Sequence, residues 1–188
     1  MENNQLQTID ISKTNDYILA HSILICYASF EERGAKIPLA INREKIQKAI
    51  VFRSKGNYDE EIYKVISNHF EKSIESVELN INKPVDTART MTKTFKKIIE
   101  SGSDLDLIID ITTFTHETLL MMLRIIENNK DTFSSVKCLY NGADRYSEGD
   151  PLEDVWLSKG CQDVRNVIGY PGIFRPSVSN VLIILTGF

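Results

Sequence analysis

Three polar clusters, each following a run of apolar residues, hold the side chains with chemistry to offer. The first is Ser29-Phe30-Glu31-Glu32-Arg33-Gly34. An arginine in such a place suits a phosphate or an acidic neighbour, because its planar fork of N–H groups matches paired oxygens. Glu31 or Glu32 beside it would fix a ribose hydroxyl or act as a general acid or base. The same residues also fit a solvated helix N-terminus, where acids complement the dipole. The second cluster is Asp110-Ile111-Thr112-Thr113-Phe114-Thr115-His116-Glu117. Hydroxyls at Thr112, Thr113 and Thr115, beside the free N–H groups of a helix start, are what an anionic ligand needs. Asp110 stands at the strand end, and His116 would add a proton that titrates near neutrality. The alternative is that Thr115 is merely an N-cap, Thr112 and Thr113 are strand residues, and His116 lies on a partly exposed first turn. The third cluster, Asn141-Gly142-Ala143-Asp144-Arg145-Tyr146, is either a surface turn nucleated by Asn-Gly or a place where Arg145 holds a phosphate and Tyr146 stacks on a base. The candidate ligand-binding residues are therefore Ser29, Arg33, Thr112, Thr113, Thr115, His116 and Arg145, and the candidate catalytic residues are Glu31, Glu32 and Asp110.

These clusters need a scaffold that brings them together. Apolar runs at Ser22 to Ala28, Ala49 to Phe52, Ile74 to Leu79, Leu105 to Ile111 and Val136 to Tyr140 alternate with helical patterns, as in a parallel sheet covered on both faces. The spacing predicts a helix over Asp59 to Glu71 with Ile62, Val65, Ile66 and Phe70 on its inner face, and a second opened by Pro84 and stopped at Gly102. A third runs from Thr115 to Asn129, with Leu119, Leu120, Leu123 and Ile126 turned inward. The fold class is α/β: a Rossmann-like, doubly wound, mainly parallel sheet of five to six strands with helices on both faces. Right-handed crossovers give the strand order 3-2-1-4-5, which sets the first and fourth strands side by side and puts a binding crevice beyond their carboxyl ends. Residues 1–20 read as an N-terminal extension, 21–141 as the Rossmann-like domain, and 142–180 as an irregular connection with one short helix around Leu157 to Val167. Residues 181–188 read as a last strand.

Composition narrows the function classes. With 22 Lys plus Arg against 26 Asp plus Glu in 188 residues, the formal charge of -4 offers no bulk attraction to duplex DNA or to anionic lipid. Three widely spaced cysteines, Cys26, Cys138 and Cys161, read as reduced thiols, and no histidine pairs with them to suggest zinc. Acid and amide side chains occupy the start where a signal peptide would be basic, and no apolar run approaches the roughly 20 residues of a membrane span. The expectation is a cytoplasmic protein with no cofactor and no metal, whose partner is a small nucleotide-type ligand. Gly-x-Gly-x-x-Gly after the first strand, Gly-x4-Gly-Lys-Ser/Thr, Gly-x-Ser-x-Gly and Arg-x4-His are all absent, which disfavours a dinucleotide oxidoreductase, a P-loop NTPase, an α/β-hydrolase and a HEPN ribonuclease.

The stretch from Asp110 to Glu117, with its preceding strand and following apolar helix, resembles the CRISPR-associated Rossmann-fold (CARF) sensor domains and the related SAVED domains of bacterial antiviral systems. There a strand runs into a Thr-Gly-Gly-Thr-Lys-like turn that cradles the phosphates of a cyclic oligonucleotide. Thr112 and Thr115 take the threonine positions, with Thr113 and Phe114 in place of the glycines and His116 in place of the lysine. The resemblance implies nucleotide or cyclic-oligonucleotide binding between strands one and four. A second resemblance, of Ile25-Cys26-Tyr27-Ala28-Ser29-Phe30-Glu31-Glu32 to the first strand of TIR domains, implies instead cleavage of NAD or a nucleotide with Glu31 or Glu32 as the acid group. A third reading is a ligand-free scaffold whose crevice is filled by Phe30 and Phe114.

The two ends of the chain share a pattern. Ser22 to Phe30 aligns without gaps on Asn180 to Phe188 as a polar residue, an apolar strand, a small polar pair and Phe. Either a second Rossmann-like unit begins at residue 180, as SAVED domains would have it, or buried parallel strands simply resemble one another. The first alternative predicts a homodimer, or contact with a second Rossmann-like half.

Overall fold

The structure, a computed structural model, describes residues 6–56, 60–143, 164–170 and 172. The chain divides into two units, Met1–Gly142 and Ala143–Phe188. In the first, strands β1 (Ser22–Ala28), β2 (Ile46–Ser54), β3 (Ile74–Leu79), β4 (Leu105–Asp110) and β5 (Phe133–Leu139) form one sheet. All are parallel, in the order β3-β2-β1-β4-β5 expected from the sequence. The fold is therefore Rossmann-like α/β. β1 is central and buried at all seven positions, as a strand covered on both faces must be.

Four helices cross between the strands: α1 (Arg33–Ala40), α2 (Glu60–Phe70), α3 (Pro84–Glu100) and α4 (His116–Asn128). Leu24, Cys26 and Ala28 of β1 share a core with Ile37 of α1, Ile66 and Phe70 of α2, Val51 of β2 and Ile108 of β4. α1 and α2 pack together over that face, and α3 and α4 pack together over the other. α1 matches the helix-terminus reading of the first polar cluster, since it starts at Arg33 itself. Its short sequence, with Pro38 inside, carries too little periodicity to announce a helix.

Two side chains expected to face inward do not. Val65 and Leu120 are exposed, while α4 buries Thr118, Met121, Met122 and Ile126 and keeps Leu119 and Leu123 half-buried. The run Leu-Leu-Met-Met-Leu is apolar on more than one side of the helix, so its period does not choose the buried face. β2 and β5 are longer than the apolar runs that announced them. β2 extends through Lys48 and Arg53, which pair across to Glu75 and Glu78 of β3, and β5 begins at buried Phe133 ahead of two serines.

Within the polar N-terminal stretch, residues 10–18 dock onto the fold. Asp10 caps a 3-10 turn, Ile11–Tyr17, by accepting from the Ser12 N–H at 2.9 Å. Asn15 then donates to the Ala40 carbonyl at 2.8 Å and accepts from the Asn42 N–H at 2.7 Å, closing the turn onto the end of α1. Ile18 enters the core behind it.

In the second unit, Val164 to Val167 is not helical, so the helix expected around Leu157 to Val167 does not include them; residues 157–163 lie outside the described residues. A tight turn follows, closed by the Tyr170 N–H on the Val167 carbonyl at 2.9 Å, with Gly169 at φ 92°. The strand expected at Val181 to Leu185, Arg145, Tyr146 and Cys161 also lie outside the described residues.

Candidate functional site

Strand order places the reversal of the sheet between β1 and β4, and the turns leaving these two strands form the walls of the candidate site. Asp110 ends β4 opposite Leu139 of β5, only 2% exposed. Continuing the β1–β4 register sets it beside Cys26. Its carboxylate accepts from the Thr112 N–H at 3.0 Å, and the Thr112 hydroxyl supports it as well. Burial nevertheless dominates and pushes the carboxyl pKa up to about 6, opposed by the two bonds from Thr112 and by the charge of Arg33. Burial and the Asp110 charge in turn raise the Cys26 thiol well above its ordinary range, so this cysteine stays a protonated core residue.

Arg33 enters from the other wall. As the first residue of α1 it reaches across the carboxyl edge of the sheet: Nε donates to Glu31, and Nη1 donates to the Asn141 carbonyl at 3.2 Å. Nη1 also lies 3.5 Å from the Tyr140 hydroxyl, and the guanidinium carbon is 6.0 Å from the centre of that ring. Its pKa is raised by Glu31 and then by Tyr140, so it remains a cation throughout. Nη2 has no hydrogen-bond partner among the described residues. The Asn141 N–H donates to the Thr112 hydroxyl at 3.0 Å, while the Asn141 side-chain Nδ2 is buried with no hydrogen-bond partner among the described residues. Arg33, Glu31, Asp110, Thr112, Tyr140 and Asn141 thus form one connected group over the ends of β1, β4 and β5.

The other sequence candidates divide by what their side chains hold. Thr113 donates to the Tyr27 carbonyl at 2.6 Å and packs against Gly34, where an added Cβ would meet Thr113 atoms at 3.1 Å. It therefore clamps the two turns together. Thr115 is exposed and caps α4, accepting from the Thr118 N–H at 3.3 Å, and His116 is exposed on the first turn, so for these two the helix-cap reading describes the geometry. Thr112 and Thr113 lie in the turn beyond the strand rather than within it. Ser29 accepts from the Glu31 N–H at 3.1 Å and shapes the β1 turn. Glu32 is exposed and makes no side-chain cap.

Of the two phenylalanines, only Phe114 fills space. It is 7% exposed, with ring centres 5.2 Å from Tyr27 and 6.1 Å from Phe52, on the face opposite Cys26. Phe30 is 77% exposed and plugs nothing.

Tyr140 and Asn141 belong to the group although the sequence offered them only as a strand end and a turn. Arg53, at the carboxyl end of β2, lies outside the apolar run that marks that strand, which stops one residue earlier. A charged residue directly after Val51-Phe52 was the available signal.

Among the described residues no helix is long and apolar enough to cross a membrane, and no group of three or more His, Cys, Asp or Glu is placed to hold a metal ion. No protein-family model matches the chain, and no curated protein matches it. Among solved structures it is similar to an NADPH-bound carbonyl reductase from chicken fatty liver, at 14% identity and a TM-score of 0.41 over 62% of this chain. The match spans about half, 51%, of the reductase chain.

Proposed function

We propose that residues 21–141 bind a nucleotide or cyclic oligonucleotide over the crevice between β1 and β4, as a sensor domain of a prokaryotic defence-type protein. The observation that supports this best is Arg33, a cation at the start of α1 held over the ends of β4 and β5 beside the Asn141 side-chain Nδ2, which is buried and has no hydrogen-bond partner among the described residues. Both groups are donors, and an acceptor-rich phosphate or base edge would satisfy them. The defence-type assignment rests on the resemblance of Asp110 to Glu117 to CARF and SAVED domains, with one change in its terms. Thr113 and Thr115 are engaged by the protein itself, so Arg33 and backbone N–H groups carry the ligand contact in place of those hydroxyls.

Glycosidic cleavage by Glu31 or Glu32 has less support: Glu31 is ion-paired to Arg33, and Asp110 is too deeply buried to reach a substrate without movement. Isothermal titration of the full chain against linear and cyclic oligonucleotides tests the binding reading. We expect saturable heat with at least one of them, and at least a ten-fold loss of affinity in Arg33→Ala. Absence of heat with every member of the panel, or an affinity unchanged in Arg33→Ala, overturns it. Turnover of NAD or a nucleotide that is lost in Glu31→Gln or Glu32→Gln would favour the enzymatic reading instead.

A further inference from the structure

The outer face of α3 is a row of cations on an acidic chain. Arg89, Lys93, Lys96 and Lys97 are exposed on the side away from Met91, Phe95 and Ile98, which are buried. With Asp86 and Glu100 as its acids, α3 carries a net charge of +2, whereas the whole chain carries -4. Arg89, Lys93 and Lys97 recur every four residues, about 6 Å apart along the axis, and Lys96 lies beside them. Like charges three and four residues apart repel each other, so this row weakens the helix that carries it. The helix dipole accounts for Lys97 in the last turn but not for Arg89 or Lys93. Nor do the acids neutralise the row. Asp86 stands 3.8 Å from Arg89 and Glu100 stands 3.7 Å from Lys96, beyond hydrogen-bond reach, with all four side chains at least half exposed to screening water. Lys97 donates to Glu75 at 3.1 Å, but that carboxylate is shared with Lys48 of β2. Lys93 has no ion pair among the described residues.

We infer that this face of α3 is a contact surface for the phosphate backbone of a single-stranded nucleic acid, held without reading its sequence and apart from the crevice between β1 and β4. Charge complementarity selects an anionic partner, and the make-up of the face selects among anions. Within α3, Val85 at the start is the one large apolar side chain that is exposed. A protein interface is centred on aromatic and apolar side chains and is poor in lysine, and a helix lying on a membrane presents an apolar face to the acyl boundary. The outer face of α3 offers neither. Its three lysines and one arginine are mostly compact point charges, which meet phosphates in any orientation. Cations in series along a straight axis suit a polymer of regularly spaced charges, of which a lone phosphate would use only one or two. A single strand is favoured over a duplex because its lower charge density is repelled less by a chain of net charge -4.

Fluorescence anisotropy of the full chain with labelled oligothymidylate and oligouridylate, from about 50 mM salt upward, tests the assignment. Both are expected to bind, with log affinity falling against log salt at a slope of about -3 for four phosphate contacts. Lys93→Ala combined with Lys96→Ala should weaken binding at least ten-fold and make the slope shallower by about 1.4. Alanine is the best helix former, so α3 keeps its structure in that variant. Lys13→Ala combined with Lys64→Ala removes the same charge from exposed positions on the α1 and α2 side of the sheet, and should change affinity by about two-fold at most. No binding to either oligomer, or equal losses in the two double variants, overturns the inference. A loss seen in Arg33→Ala and not in the α3 variant also overturns it, placing the strand in the crevice and leaving the nucleotide reading intact. Polyglutamate of equal charge, phosphatidylserine vesicles and a matched duplex, added as competitors, should each be at least ten-fold weaker than unlabelled strand; equal competition by any of them overturns a single strand as the partner.

Discussion

The turn after β1 and the turn after β4 are both polar and each holds one phenylalanine, yet the protein uses them in opposite ways. After β4, Thr112 joins Asp110 to Asn141, Thr113 ties Tyr27, Phe114 fills the space beside Phe52, and Thr115 caps α4. After β1, Phe30 and Glu32 are exposed and Arg33 reaches across to another strand. The β4 turn spends its polar side chains on backbone groups: Asp110 takes the Thr112 N–H, Thr112 the Asn141 N–H, Thr113 the Tyr27 carbonyl and Thr115 the Thr118 N–H. Gly34, by omitting a Cβ, lets the Thr113 side chain approach α1 and close the two turns against each other. Hydroxyls in a motif-like run are therefore weak indicators of a ligand unless their hydrogen bonds are known. The exposed side of the β1 turn is the better place to look.

The strongest way to break this contrast is Phe114→Ala. Truncating a ring buried against Tyr27 and Phe52 should cost about 3–5 kcal/mol, read from urea or guanidinium unfolding. A loss below about 1 kcal/mol would mean that the β4 turn is not a scaffold element.

Asp110→Asn comes next and acts with the opposite sign. The folded carboxyl has its pKa raised from the ordinary 3.8 to about 6. The protonated form is thus favoured in the native state: that stabilisation is fully present below pH 3.8 and is lost as the pH rises through 6. Above that window the wild type carries a buried carboxylate at a cost of about 3 kcal/mol, which the neutral amide avoids. The stability of Asp110→Asn minus that of the wild type should therefore climb between pH 4 and pH 7 by up to this amount, as checked by denaturant titration at each pH. A flat difference would show that Asp110 does not titrate differently in the folded protein. Cys26, Thr112 and Arg33 surround it and are unchanged in both proteins.

The sheet was legible because each strand holds a short apolar run and the central one, Ser22–Ala28, is buried on both faces, and a parallel sheet with right-handed crossovers leaves few orders to choose from. Ser22–Ala28 and Ile74–Leu79 have the bounds their apolar runs suggest. Legibility failed where polar residues lie within a strand, at Lys48, Arg53, Ser134 and Ser135, and where a helix is apolar on several sides, as at Leu120. The site was only partly legible for a different reason. Residue type marked Arg33, Asp110 and Thr112, whereas Tyr140, Asn141 and Arg53 join the carboxyl edge through strand order and register, which no local pattern records. Conversely, Thr115 and His116 had the right chemistry but lie on the outer surface of the α4 start.

The smallest expected effect sharpens the contrast most, because it compares two exposed residues that surface area alone would rank the other way. Phe30 offers far more apolar surface than Thr115, so burial bookkeeping would give its loss the larger consequence. Its ring, however, is 77% exposed, and removing it should change stability by no more than about 0.5 kcal/mol in Phe30→Ser. Thr115 is exposed too, but its hydroxyl satisfies the Thr118 N–H and exchanges a hydrogen bond of 2.8 Å with the Thr118 hydroxyl. Thr115→Ala leaves an orphan donor in the first turn of α4 and should cost about 1 kcal/mol. Parallel thermal melts of the two variants check the ranking. If Phe30→Ser proved the more destabilising, the β1 turn would be structural like its counterpart, and the division of labour between the two turns would fail.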